Sequence, residues 1–456
     1  MYTAHRSRRK LRAAAIIAAG VTSALILSAC AGGGGGGGAE GEADSGTLNW
    51  WGWTPDISVG QAYIDAFNEE YPDITINYKQ VPIEDWEAAL RPALASPSGP
   101  DIFAMQPGAR VEAFKSFAED LTPLAEDTLG EDWEDKVSAI GVEGLSADGK
   151  LTAMSIGATY AGSVWINQDL FDKYNLTPPT TLDEWVDVCA EFKANGVGCF
   201  VQGASQEGFD QDTLQAISDS IEPGVWTSAS KGDTPWTDPT IVKTLETWKS
   251  LFENGIMQDG AIGYAQYPDA NNDFMSQKYA MVQMGTWYMQ YATTAGQTAA
   301  IEAAGVADPK PFPIVPIPFP DVTGSGNPAA YYGDSDYGLA LNTKSKNKAA
   351  ARTFISWLTA TEAGQQVVAD KLNDIPALLG VEPNWDSIEQ PFPDVQREPV
   401  QKLIADASAS SESRFLYLNQ DVQDAILAAC TSVADGSATP EEAAATLDAA
   451  AVASRS

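Results

Sequence analysis

The sequence predicts an α/β protein, and three observations carry that reading. Leu48 to Trp51 reads as a strand, and Ile74 to Val81 alternates Ile74, Ile76 and Tyr78 toward one face. Between them Ala62, Tyr63, Ala66 and Phe67 recur at helical spacing over Ile57 to Tyr71. Strand, helix and strand joined by short loops imply a right-handed parallel unit. A helix over Glu84 to Ala95, followed by Gly99-Pro100-Asp101-Ile102-Phe103-Ala104, repeats the pattern.

The first residues have another character. Arg6, Arg8, Arg9, Lys10 and Arg12 precede an apolar run, Ala13 to Leu27, that ends in Leu27-Ser28-Ala29-Cys30. A basic start, a run too short for a comfortable membrane span and a small-residue cleavage site describe a signal peptide over residues 1–29. The alternative is a transmembrane anchor. Leu-Ser-Ala-Cys looks like a bacterial lipobox, which makes Cys30 the lipidated first residue of a tethered chain. The Gly-rich stretch that follows, within residues 30–46, is expected to be a flexible spacer.

Composition excludes several function classes. The full chain has a formal charge of −35; removing the leader leaves 22 basic against 62 acidic residues, about −40. Such a surface repels nucleic acid and anionic membranes, so contact with a membrane is expected through the lipid anchor only. The one histidine, His5, leaves with the leader, and with it any Ser-His-Asp or Cys-His mechanism and any His-ligated zinc site. There is no internal repeat and no Gly-rich phosphate loop. No cofactor or metal is expected. Cys189, late in a helix, and Cys199, opening the next strand, are candidates for a disulfide in an oxidising compartment. The other reading is two buried thiols, which is the expectation for Cys430.

In parallel α/β sheets ligands sit beyond the carboxyl ends of strands. That rule selects Trp51 and Trp53 after the first strand, Met105 and Gln106 after Ala104, Tyr160 after Ile156 and Gln202 after Val201. Aromatic faces stack on the CH faces of pyranose rings, and amides and carboxylates take hydroxyls. A tryptophan in a strand can equally be core, and Trp50 is read that way; Trp53 stands outside the strand, between Gly52 and Thr54-Pro55.

The stretch Gly149 to Trp185 organises the rest. It reads as a strand (Leu151 to Ile156), a loop of small residues ending in Tyr160, a second apolar run (Ser163 to Ile166), a helix over Gln168 to Tyr174 and the helix stop Pro178-Pro179. Thr181 and Glu184 then read as a capping box. This order resembles the crossover of the bacterial extracellular solute-binding proteins of sugar ABC importers, carried by Gly149, Lys150, Ala153, Asn167, Asp169, Leu170, Phe171, Pro178, Pro179, Thr181 and Glu184. Ile156 and Ile166 stand where that family often has Pro and Tyr. Later segments are similar to the same family: Lys278-Tyr279-Ala280-Met281, then Gly285-Thr286-Trp287, then Pro309 to Pro320 with six prolines, which excludes helix and central strand. Gln277 replaces a frequent Gly.

The resemblance implies the two-lobed periplasmic-binding-protein fold of type II, with a ligand cleft between lobes joined by hinge strands. Its lobes are expected over residues 47–155 plus 318–365 and 156–317 plus 366–456. It further implies Trp287 as a sugar-stacking residue, the alternative being an aromatic packed under the lobe. Gly333, Asp334 and Ser335 read as a loop at the cleft, with Asp334 either a hydroxyl acceptor or a solvated turn residue. The implied partners are a carbohydrate ligand and the ABC permease subunits in the membrane, the chain acting as a monomer. No basic residue except Arg110 falls in the expected cleft loops, which favours a neutral ligand. Two rivals remain: a secreted glycoside hydrolase with paired carboxylates, and the same fold binding iron or a polyol, iron being suggested by Tyr331-Tyr332.

Overall fold

The structure is a computed structural model and describes residues 41–327 and 330–455. The expected leader, Cys30 and the first part of the Gly-rich spacer lie outside the described residues. The described residues form one compact unit built on three main sheets.

The first lobe contains β1 (Gly46–Gly52), β2 (Ile74–Gln80), β3 (Ile102–Met105), the small hairpin β4 (Ser146–Ala147) and β5 (Lys150–Leu151), and β6 (Met154–Ser155). Its strands β1, β2 and β3 are parallel, as the repeated strand–helix pattern requires. Leu48 and Trp50 project to one face of β1 and meet the helix Ile57–Glu70 and the helix Lys348–Ala360. Trp50 is wholly buried against Tyr78 (4.2 Å) and Phe354 (5.6 Å), so it is a core residue. The predicted strand over Leu151 to Ile156 is two short strands, because β5 turns back on β4 before β6 joins the main sheet.

Two segments read as loops are strands. β7 (Gly157–Ala161) covers the small-residue run, and β12 (Tyr332–Ser335) covers Gly333 to Ser335. They pair antiparallel with each other, and β7 also pairs with β14 (Ile375–Pro376), giving a sheet of order β12-β7-β14. These are the chain's crossings between the lobes. All five residues of β7 are buried, so small side chains fit between packed layers where a periodic pattern has no solvent face to show.

The second lobe is the sheet β11-β8-β10-β9, made of β8 (Ser163–Asn167), β9 (Gly198–Val201), β10 (Tyr279–Met284) and β11 (Ile314–Pro318). The proline-rich strand β11 occupies an edge, where Pro316 and Pro318, two residues apart, turn their missing donors away from β8. Strand β13 (Gly338–Leu341) returns to the first sheet and pairs with β3 and β6.

Cys189, on the helix Leu182–Ala194, is bonded to Cys199 at the start of β9, while Cys430 is a buried free thiol. Thr181 caps the 182–194 helix through the Glu184 amide, but the Glu184 carboxylate takes the amide and hydroxyl of Thr180, not the Thr181 amide a capping box requires. Thr439 and Glu442 do form the reciprocal box, at the start of the helix Pro440–Ser454. Among the described residues no helix is long and apolar enough to cross a membrane.

Candidate functional site

The loop after β1 supplies the first wall. Trp53 packs edge-on against Trp86 (5.2 Å) and Tyr337 (6.0 Å), and the Arg110 guanidinium lies 5.2 Å from its ring centre. Arg110 donates to Gln106 Oε1 and pairs with Glu87 at 3.5 Å, so Trp53 and Gln106 are brought together through one cation. Trp51 stands apart: it lies in register with Lys79 of β2, whose Nζ sits 3.6 Å over its ring.

Trp287 follows β10 and supplies the second wall. A Cβ on Gly285 would lie 2.1 Å from Trp287 Cζ3 and 2.2 Å from the Tyr160 carbonyl, so only glycine lets the ring fold back against the crossing strand. Trp287 is half-buried; the Arg414 guanidinium lies 4.7 Å from its ring centre and Phe209 packs at 6.2 Å. Gln202, by contrast, is an interior residue. Its Nε2 donates to the Phe209 carbonyl (2.9 Å), its Oε1 accepts from Thr213 (2.8 Å), and Gln258 binds both sides of its backbone. Gln202 is wholly buried, so its amide does not reach a ligand.

The floor comes from the crossings. Tyr160 is buried on β7, its amide donating to Thr286 Oγ1 at 2.9 Å, and burial together with the nearby Asp334 pushes its phenol up to about 12. Asp334 is neither a free acceptor nor a solvated turn residue: its carboxylate is buried and accepts from Ser413 Oγ and the amides of Arg414, Phe415 and Leu416. Burial raises it to about 6. Two residues on, Asp336 accepts from Thr159 Oγ1 (3.1 Å), lies beside the Asp374 carboxylate and feels the Arg414 and Arg110 charges; burial raises it above the ordinary carboxylate range.

The lobes touch directly around this site. Tyr291 Oη donates to Asp56 Oδ2 at 3.1 Å, and Tyr417 Oη to Glu143 Oε1 at 3.1 Å. Arg414 is the main residue that sequence reasoning missed, so Arg110 is not the sole cation here. Both Arg414 nitrogens facing Asp212 are within 2.7 Å of its carboxylate, a bidentate buried pair. One signal was available: Arg414 is the lone Lys or Arg between Lys402 and Arg455. Asp336, Asp56 and Phe209 were missed too. The arrangement offers aromatic faces from both lobes, buried carboxylates and two arginines whose charge is already matched by Asp212 and Glu87.

The family described as bacterial extracellular solute-binding proteins matches residues 31–365. An uncharacterized ABC transporter extracellular-binding protein of Pyrococcus horikoshii is 22% identical over 402 residues, covering 86% of this chain and 79% of that one. The multiple sugar-binding protein of Streptococcus mutans is 26% identical over 256 residues, 53% of this chain and 55% of its own length. Among solved structures, maltose-bound MalE3 of T. maritima superposes with a TM-score of 0.68 at 20% identity, over 89% of this chain and 99% of that one. A structure from work on xylan utilization by Caldanaerobius polysaccharolyticus gives 0.69 at 20% identity, over 88% and 99%. The fold is thus that of two-lobed substrate-binding proteins, and the matched family is one of solute-binding proteins, not of enzymes. With the family matched over most of its length, the chain belongs to the bacterial extracellular solute-binding proteins of ABC transporters.

Proposed function

We propose that this protein captures a neutral sugar or oligosaccharide between its lobes and delivers it to an ABC permease, acting as a monomer held to the membrane by lipid on Cys30. The observation that carries the reading is that Trp53 on one lobe and Trp287 on the other each lie against an arginine, Arg110 and Arg414, and that the charges of both arginines act on the buried Asp336. Trp53 and Trp287 are assigned to stacking on CH faces, and Asp336, Gln106 and Tyr160 to the polar rim. Charge supports neutrality: Arg414 and Arg110, the cations against Trp287 and Trp53, are already paired with Asp212 and Glu87, so neither is free for a carboxylate or phosphate ligand. The sugar-binding name of the Streptococcus relative and the maltose in the MalE3 structure support the substrate class.

A thermal-shift screen of the chain from Thr47 onward against neutral mono- and oligosaccharides tests this. A ligand that binds only the folded state raises the melting temperature. One sugar class is expected to give a shift that Trp287→Ala abolishes; a flat response across maltose, xylose and chitin oligomers would contradict the proposal.

A further inference from the structure

The segment 412–416 is held by polar groups of two elements, β12 and the helix Phe209–Ile221. From β12, the Asp334 carboxylate accepts from Ser413 Oγ (2.8 Å) and from the amides of Arg414 (3.2 Å), Phe415 (2.5 Å) and Leu416 (3.2 Å). From the helix Phe209–Ile221, Gln211 Nε2 donates to the Arg414 carbonyl (2.6 Å) and Gln215 Nε2 to the Ser413 carbonyl (3.1 Å). The Gly333 amide donates to the Glu412 carbonyl at 2.8 Å. A segment outside any helix or strand is seldom so fully anchored; loops of this kind are ordinarily mobile and solvated.

What the anchoring achieves is visible at both ends of Arg414 and Phe415. The guanidinium is fixed beside Trp287 and bidentate to Asp212, while the Phe415 carbonyl faces the first lobe. There it meets Gly108, in the loop that follows β3 and carries Gln106. Gly108 has φ 75°, and a Cβ on it would lie 2.5 Å from the Phe415 oxygen and 3.2 Å from that of Leu418. Any side chain at 108 would hold the two lobes apart as well as strain its own backbone.

We propose that residues 412–416 are the interlobe latch of the cleft, that Asp334 is the positioning residue that shapes it, and that Gly108 is the seat it closes onto. Asp334 thereby acts on a ligand through Arg414 and Trp287 without touching it. The inference rests on the reading that ligand enters this cleft, but its first half is independent of what the ligand is.

Two measurements on the full chain test it. In amide hydrogen exchange without ligand, Asp334→Ala is expected to lose about tenfold or more protection at residues 414–416, whose amides the carboxylate collects, with Asp334→Asn recovering part of it and the helix Pro440–Ser454 unchanged. Unchanged protection at 414–416, or an equal loss throughout the chain, overturns the positioning role. In titrations with maltotriose, xylotriose and chitotriose, Asp334→Ala and Gly108→Ala are each expected to weaken the binding of the sugar that binds wild type by about tenfold, and the double variant no more than the worse single one. Full affinity in Gly108→Ala, or losses that multiply in the double variant, overturn the latch. A wild-type chain that binds none of the three sugars contradicts the functional proposal instead, while the exchange result still decides the role of Asp334.

Discussion

Gly285 and Asp212 act on the cleft by controlling what Trp287 and Arg414 can do. Gly285→Ala forces a methyl to within 2.1 Å of the Trp287 ring and 2.2 Å of a backbone oxygen, so one of them must move. The expected result is a loss of about 1–3 kcal/mol in denaturant titration, the range for overpacking. Asp212→Ala is expected to cost more, about 3–5 kcal/mol, because it strands a buried guanidinium without its carboxylate. Buried acids also make stability depend on pH. Burial pushes Asp210 and Asp219, both on the 209–221 helix, up to about 7 from an ordinary 3.8. The folded chain therefore keeps protons that the unfolded chain releases, and stability falls as pH rises from about 3.8 to about 7. Asp210→Asn stays neutral throughout that window. Its melting temperature relative to wild type is expected to climb between pH 4 and pH 7; a constant gap would show that Asp210 does not titrate there.

Among the elements, the bridge between the 182–194 helix and β9 closes a short loop, Cys189 and Cys199 being 10 residues apart. Replacing both by serine is expected to cost about 2–4 kcal/mol, read as a lower denaturation midpoint that reducing agent does not lower further. The bridge was legible in sequence as a possibility, since a helix end and the strand after it must come close; that it is formed is a structural finding. Strands β1 and β2 and most of the helices were equally legible because each keeps one face dry, and periodicity records that; β9 was legible only as a short apolar run, and β10 was read only through its resemblance to the family. β7 and β12 were not. Gly157-Ala158-Thr159-Tyr160-Ala161 has no wet face to alternate with, and Gly333-Asp334-Ser335 are turn formers that pair with β7 across more than 170 residues. Local preference is overridden there by long-range pairing. The same limit applied to the site. Residues at strand ends, Trp53 and Gln106, could be picked by topology, but Gln202 was picked by that rule and is interior. Arg414 and Asp336 reach the cleft from segments whose course only the tertiary fold decides.

At the scale of the whole molecule, three crossings and two sheets leave closure as the one large motion the architecture invites. A ligand favours the closed form only by binding it better than the open one, which requires contacts from both lobes. Trp53 and Trp287 are the proposed ligand contacts, while the Asp56–Tyr291 bond and the approach of the Phe415 carbonyl to Gly108 join the lobes directly. The measurement that tests the central claim most directly is small-angle X-ray scattering of the chain with and without the oligosaccharide that raises its melting temperature. Sugar capture by lobe closure predicts a smaller radius of gyration at saturation, absent in Trp287→Ala. An identical radius with and without bound sugar would contradict it.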